Sequence, residues 1–565
     1  MKRAISLIII YPLLLPFLVY SQEPVLHELE MEDGIKLLTD IYFPTDGNGP
    51  WPVVMGRTPY GRDTDSGSIM LPPDARENMA SSGIVVVIQD VRGRNGSEGE
   101  QIPFAADGWG ELKDGLTTLN WIRGQEWCNG KIATIGASAG GVTQIQLAGT
   151  GPEGIVGQII DLAPMSNYHS FAFNGGVFRR EIVEGWLMTS QWPVEENLAL
   201  IREHPFYDDY WRLLNLKEQI GKVNWPVMIG ACWYDLFVDS SIDLYEEIRA
   251  HAQPAARDNV VLLIGPYTHT TFNETEHGEL RFPNNAVIPY DSLWPKEVTF
   301  IEHWLLGKSL QPTPPRVLYY VMGEITNLPN VRQSPGNEWR IAEDWPPPAQ
   351  KTKWYLTNQN TLQTALPQQE GTYQYSYDPN DPVPTRGGQN FMVTPGPYDQ
   401  RLIEHRNDVI LFTTDSLSEP LEVTGKVTAI LYVSTSAKDT DFTAKLTDVY
   451  PDGKSILIAD NIRKLSMRGE FTYPQEVVPN QIYRLEIEIG NTSIIFNTGH
   501  RMRLAISSSN NPRFEPNPNT GNPDWTSDEK VVAQQTVFVG GNQASHLLLP
   551  IPFSESAVSE WGELK

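Results

Sequence analysis

Up to about residue 310, short uninterrupted apolar runs alternate with longer segments of helical periodicity. "PVVMGRTPY" (52–60) and "GIVVVIQDVRG" (83–93) read as strands. In "GWGELKDGLTTLNWIRGQ", Leu112, Leu116, Leu119 and Ile122 recur at helical spacing. "KIATIG" (131–136) is strand-like, and "GGVTQIQLAGTG" (140–151) is a helix closing on glycine. "IVGQIIDLAP", "WPVMIGACWYD" and "DNVVLLIGPYTH" continue the strands, with the helix-like "SSIDLYEEIRAHA" between the last two. Strands that are apolar along their whole length and alternate with helices predict a parallel sheet covered on both faces. Residues 165–224 interrupt this rhythm with a helix-leaning, aromatic-rich stretch, which predicts a helical cap inserted between two strands.

Beyond "PTPPRVLYYVMGE" the period changes from helical to two. Tyr483, Leu485, Ile487 and Ile489 alternate with Arg484, Glu486 and Glu488. Phe442, Ala444 and Leu446 alternate with Thr443, Lys445 and Thr447. Strands of this kind are expected to have one buried and one wet face. Turn signals such as "PDGK" and "PNPNTGNPD" separate them, which predicts a β-sandwich of jelly-roll type. The expected fold class is therefore α/β plus all-β. The segments are a signal peptide (1–21), a parallel-sheet core (22–164 and 225–312), the cap (165–224) and the sandwich (313–565).

The N-terminus departs from globular patterning. Lys2 and Arg3 precede the uncharged "AISLIIIYPLLLPFLVY", and Val19-Tyr20-Ser21 offers small residues for cleavage. This predicts a secretory signal and an exported protein, secreted or periplasmic. Pro12 and Pro16 argue against a stable membrane span, an uncleaved anchor being the alternative. A chain of 565 residues exceeds one core, so two or three domains are expected. A net charge of −26 without any basic cluster makes nucleic acid a poor partner. Cys128 and Cys232 fall at opposite ends of parallel strands, too far apart to pair, and are expected to be free thiols. No CxxC or HExxH spacing suggests a metal.

The candidate chemistry lies in "TIGASAGG" (134–141), where a strand runs through Gly136-Ala137-Ser138-Ala139-Gly140 into a helix. That strand–turn–helix context is what a nucleophile elbow requires. Both Gly136 and Gly140 are expected to be glycine because a side chain at either would collide with the strand or helix. Ser138 would stand above the sheet, and the Ala139 N–H would face a developing oxyanion near the positive helix end. A serine needs a base. On such a sheet the acid and the histidine follow in that order, each just after a strand. Asp235 and His269 fit, with Asp239 and His277 as their competitors.

The chain resembles the CocE/NonD hydrolases, a group that includes ester hydrolases, acylases and X-prolyl dipeptidyl-peptidases. The resemblance rests on "GRTPYGR", "VIQDVRGRNGSEG", "EWCNGKIATIGASAGG", "CWYDLFVD" and "GPYTH". In the second half it rests on "DPVPTRGG" and "DTDFTAKL". It implies an α/β-hydrolase core, a cap and a jelly roll, with a catalytic triad of Ser138, Asp235 and His269 and no metal or organic cofactor. It also implies that Tyr60 is a second oxyanion donor beside the Ala139 N–H. The family usually has tyrosine after the nucleophile. Ala139 keeps the N–H but implies a larger acyl pocket. Relatives that act on α-amino acids hold the substrate ammonium with carboxylates, one of them two residues beyond the oxyanion tyrosine, where this chain has Arg62. Glu181, Glu184, Asp208 and Asp209 of the cap are candidates to compensate. The expected function is hydrolysis of an ester or amide, in a small molecule or short peptide, through an acyl-enzyme. The alternatives are an X-Pro dipeptidyl-peptidase and a protein that mainly binds a carbohydrate or other ligand. The oligomeric state stays open, a homo-oligomer included.

Overall fold

The computed structural model describes residues 23–63, 71–326, 335–522 and 528–553. The signal peptide expected at 1–21 lies outside the described residues.

The first half is built on a ten-stranded sheet. Its spatial order is Val25–Glu30, Lys36–Tyr42, Val85–Asp90, Trp51–Thr58, Cys128–Ala137, Ile155–Asp161, Val227–Tyr234, Val260–Thr268, Val317–Val321 and Glu338–Ala342. The seven strands from Val85–Asp90 to Val317–Val321 are parallel, and the flanking strands are antiparallel. The sheet thus runs past the boundary expected at 312, because Val317–Val321 pairs in parallel with Val260–Thr268.

The continuous apolar runs follow from cover on both faces. Val53, Met55, Val85 and Val87 pack with Leu119, Ile145 and Ile242, from the helices Asp114–Arg123, Ala139–Gly149 and Val238–His251. Val54, Val86 and Ile88 turn the other way and meet Met79, Phe300 and Ile301, from the helices Pro73–Ser81 and Glu297–Leu306. The apolar residues of these strands therefore follow one another without alternation, one layer taking the odd positions and the other the even, and polar residues such as Arg57, Gln89 and Asp90 come only at the C-terminal ends. Between Ile155–Asp161 and Val227–Tyr234 lie a π-helical turn, Asn167–Ala172, and the helices Arg180–Thr189 and Val194–Glu203.

The second half is an antiparallel sandwich of a seven-stranded and a four-stranded sheet. Tyr483–Phe496 keeps the expected alternation over its first half, with Leu485, Ile487 and Ile489 buried and Arg484, Glu486 and Glu488 exposed. Asp441–Val449 does not, since all nine of its residues are buried. The polar side chains that were expected to be wet meet polar partners instead. Thr443 contacts the Ser507 hydroxyl at 2.5 Å, and Lys445 Nζ donates to Asn510 Oδ1 at 3.5 Å. Burial of polar groups is tolerated where hydrogen bonds replace water. The two cysteines are free, Cys128 half-buried and Cys232 buried.

Candidate active site

The strand Cys128–Ala137 ends one residue before Ser138, and the helix Ala139–Gly149 begins one residue after it. Ser138 itself has φ 53° and ψ −125°, a conformation that costs a non-glycine residue about 1–3 kcal/mol. The glycines make this turn affordable, though not the pair expected. A Cβ on Gly136 would lie 2.4 Å from the Gly140 carbonyl oxygen, and one on Gly141 would lie 2.5 Å from the Ala163 methyl. A Cβ on Gly140 would make only an ordinary contact, 3.5 Å from the Arg57 carbonyl oxygen. Close approach within the turn and of the helix to the next strand therefore requires Gly136 and Gly141.

Three side chains converge from three strand ends. His269, just after Val260–Thr268, places Nε2 3.0 Å from Ser138 Oγ. Its Nδ1 lies 2.5 Å from Asp235 Oδ2, just after Val227–Tyr234. Asp235 is fully buried, and its other oxygen accepts the Phe237 N–H at 2.7 Å. The competitors are engaged elsewhere. His277 is buried between the Thr271 hydroxyl (2.7 Å) and the Glu274 carbonyl (3.0 Å), and burial pulls it down to about 4. Asp239 Oδ1 accepts both the backbone N–H and the side-chain amide of Asn491, at 2.7 and 2.8 Å, and so joins the core to the sandwich.

Tyr60 stands on the opposite side of Ser138. Its hydroxyl accepts the Trp186 indole N–H at 3.0 Å, and it is in hydrogen-bond contact with the Ser138 hydroxyl and the Ala139 N–H. Burial raises the Tyr60 phenol above its ordinary value, and these three contacts oppose the rise. The phenol therefore keeps its proton at neutral pH and can donate it.

This geometry can be set beside known proteins. A family model described as X-Pro dipeptidyl-peptidase (S15 family) matches residues 33–200 and 189–271. A second, the X-Pro dipeptidyl-peptidase C-terminal non-catalytic domain, matches 312–548. Cocaine esterase from Rhodococcus sp. (strain MB1 Bresler) is 32% identical, over 92% of this chain and 97% of that protein. The chain belongs to the S15 family of serine hydrolases, in its CocE/NonD group. An aminopeptidase from the marine sediment archaeon Thaumarchaeota archaeon shares the fold at TM-score 0.79 and 23% identity, over 94% of this chain and 97% of that one. An α-amino acid ester hydrolase shares it at TM-score 0.77 and 23% identity, over 96% and 100%.

In this S15 hydrolase the pocket above Ser138 holds about 350 Å³ of empty space. Phe104, Phe171, Ile182, Trp186 and Phe391 wall it, and His269 is the one ionisable ring in its lining among the described residues. Phe104 stacks on Trp186 at 5.6 Å, and Ala139 lines the pocket as a single methyl where a larger residue would fill it. None of the carboxylates considered for an ammonium faces this space. Arg62 itself pairs with Asp40 and Asp90 at 3.0 and 2.6 Å. Glu181 Oε1 accepts the backbone N–H groups of Phe391, Met392 and Val393. Glu184 pairs with Arg180, Asp208 caps Asp209–Arg212, and the Asp209 side chain is fully exposed.

Sequence reasoning missed Trp186, Phe391 and Arg179. Trp186 lies in the cap helix, where its ring reads as core. Phe391 comes from the segment that follows "DPVPTRGG" in the second half, and it meets the His269 ring edge-on at 5.6 Å. No periodicity marks it, because an irregular loop held by Glu181 carries it. Arg179 is fully buried, donates to the Leu236 carbonyl at 3.2 Å and feels the Asp235 charge; burial lowers it to about 9.

Proposed function

We propose that this protein is an exported esterase. It hydrolyses esters of uncharged, largely apolar acyl groups through an acyl-enzyme on Ser138. The observation that carries the reading is the hydrogen-bonded chain Ser138–His269–Asp235 opening onto a pocket that no carboxylate lines among the described residues. Ser138 Oγ attacks the acyl carbonyl carbon while His269 Nε2 takes the hydroxyl proton. Asp235 holds the imidazole with Nδ1 protonated and stabilises its charged form. The carbonyl electron pair moves to oxygen, where the Ala139 N–H and the Tyr60 O–H receive it. Tyr60 is suited to this because an indole N–H can only donate. The phenol oxygen accepts from Trp186, which leaves its own proton for the oxyanion. Collapse of the intermediate breaks the ester bond, and the His269 proton goes to the leaving alkoxide. Water then repeats the cycle on the acyl-enzyme and releases the acid.

The dipeptidyl-peptidase alternative requires recognition of a free peptide N-terminus. An ammonium in an apolar pocket is costly without a carboxylate partner, and none of the four cap carboxylates considered lines this pocket, Glu181 being tied through one oxygen to the backbone N–H groups of Phe391, Met392 and Val393. The test is a side-by-side measurement of kcat/KM for p-nitrophenyl butyrate and benzoate and for Ala-Pro-p-nitroanilide. The esters should be favoured by roughly a hundredfold or more, and the reverse order would establish the peptidase. Export rests on the Lys2-Arg3 start, the apolar stretch and Val19-Tyr20-Ser21. N-terminal sequencing of the protein from culture medium or periplasm should begin at Gln22. An intact Met1 in the cytoplasm would reject it.

A further inference from the structure

One residue in the Ser138 pocket does not fit an apolar acyl group. Asn167 opens the π-helical turn Asn167–Ala172 and lines the pocket, yet it is only 2% exposed. Its backbone N–H donates to the Leu214 carbonyl, but its side-chain oxygen is buried without a hydrogen-bond partner. A buried unpartnered amide is destabilising, and such groups are rare in folded proteins.

Asn167 also stands in the wall of a second cavity. This one lies beneath the helices Arg180–Thr189 and Val194–Glu203. Phe104, Asn167 and Phe171 line both cavities. Leu200, Tyr210 and Trp211 are among the other walls of the second, and no charged side chain lines it among the described residues. An acyl chain bound to Ser138 and extending between Phe104 and Phe171 would therefore pass the Asn167 carboxamide.

We propose that Asn167 is a specificity-determining residue, and that the preferred acyl group has an apolar body ending in an uncharged hydrogen-bond donor, a hydroxyl or an amide N–H. This rests on the esterase reading of Ser138. A donor is specified because the unpartnered atom is an acceptor. An ammonium is disfavoured because a neutral amide does not offset the desolvation of a full charge. Discrimination arises because an all-carbon group would seal the amide oxygen away from any partner, whereas a donor would satisfy it.

The test uses p-nitrophenyl esters of 4-hydroxyphenyl- and 4-methylphenylalkanoic acids, with one, two or three methylenes before the carboxyl. At one chain length the intact enzyme should favour the hydroxy ester in kcat/KM by roughly ten- to a hundredfold. Asn167→Leu, of similar size, should abolish or invert that preference. Asn167→Asp should move it towards the matching 4-(aminomethyl)phenyl ester. Equal kcat/KM for both members of each pair in the intact enzyme overturns the inference without needing a variant. So does a hydroxy preference that survives in folded Asn167→Leu. Failure to turn over any ester would instead remove the esterase reading on which the inference rests.

Discussion

Two cavities meet at Leu236, and they are opposites. The Ser138 pocket is small and apolar, and His269 is the one ionisable group in its lining among the described residues. The cavity between core, cap and sandwich is larger, about 840 Å³ of empty space, and is lined by Asp239, Asp243, Glu488 and Arg463. There Lys426 bridges Asp243 and Glu488 at 3.4 and 3.5 Å, and burial raises Asp243 to about 6. Four residues decide which cavity a carboxylate serves. Asp235 is on the turn before the helix Val238–His251 and reaches His269. Asp239, one helical turn later, points to Asn491. One segment thus supplies an acid that holds the His269 ring and an acid that holds two domains together. A dry, uncharged pocket makes a fixed donor effective against a charge that appears only in the transition state. Paired charges at a wet joint do mainly structural work.

The sharpest way to break this contrast is to neutralise each aspartate. Asp235→Asn should leave the fold intact and reduce kcat by about ten-thousandfold, because His269 loses the partner that fixes its tautomer. Asp239→Asn should keep kcat/KM within roughly twofold and lose about 1–3 kcal/mol of stability as the Asn491 contacts weaken. Esterase assays and urea unfolding of both variants check this. Similar activity losses in the two would erase the distinction.

A smaller effect separates the two residues behind the oxyanion. Tyr60→Phe keeps the ring and removes the hydroxyl. It should reduce kcat by roughly a hundred- to a thousandfold with little change in KM. Trp186→Phe removes the N–H that orients that hydroxyl together with part of the ring that walls the pocket, and should cost about tenfold. In Tyr60→Phe the Trp186 change should cost less than it does in the parent, because the N–H no longer has a hydroxyl to orient, which single-turnover acylation of the double variant measures.

The smallest effect concerns the histidines of one loop. Burial holds His277 at about 4, below its ordinary 6.5. Between these values the unfolded chain binds the proton and the folded chain does not. The stability from neutral His277 is therefore complete above pH 6.5 and is lost as pH falls towards 4. Thermal unfolding from pH 7 to 4.5 should show a shallower acid slope in His277→Gln than in the parent. An identical slope would mean that His277 is not held neutral.

How far the sequence reached depended on how local the signal was. The parallel strands were legible because cover on both faces gives them consecutive apolar residues with no polar–apolar alternation. The elbow was legible because a strand, two glycines around one serine and a helix are contiguous. Asp235 and His269 followed from chain order, since each comes directly after a strand. Three things were not legible. Gly141, rather than Gly140, makes the close approach of the helix, and that depends on Ala163, just beyond the next strand. Asp441–Val449 reads as half-wet, but Ser507 and Asn510 bury its polar face. Phe391 and Asn167 sit on irregular backbone, where side-chain direction follows from tertiary contacts such as those of Glu181 rather than from a period.

The central claim is that Ser138 becomes covalently acylated. Rapid mixing with p-nitrophenyl butyrate, followed by acid quench, tests it most directly. The account predicts that butyryl mass trapped by the quench lies on the peptide containing Ser138, and that both the adduct and p-nitrophenolate release are lost in Ser138→Ala. Butyryl trapped on a different residue, or activity retained in folded Ser138→Ala, would contradict it.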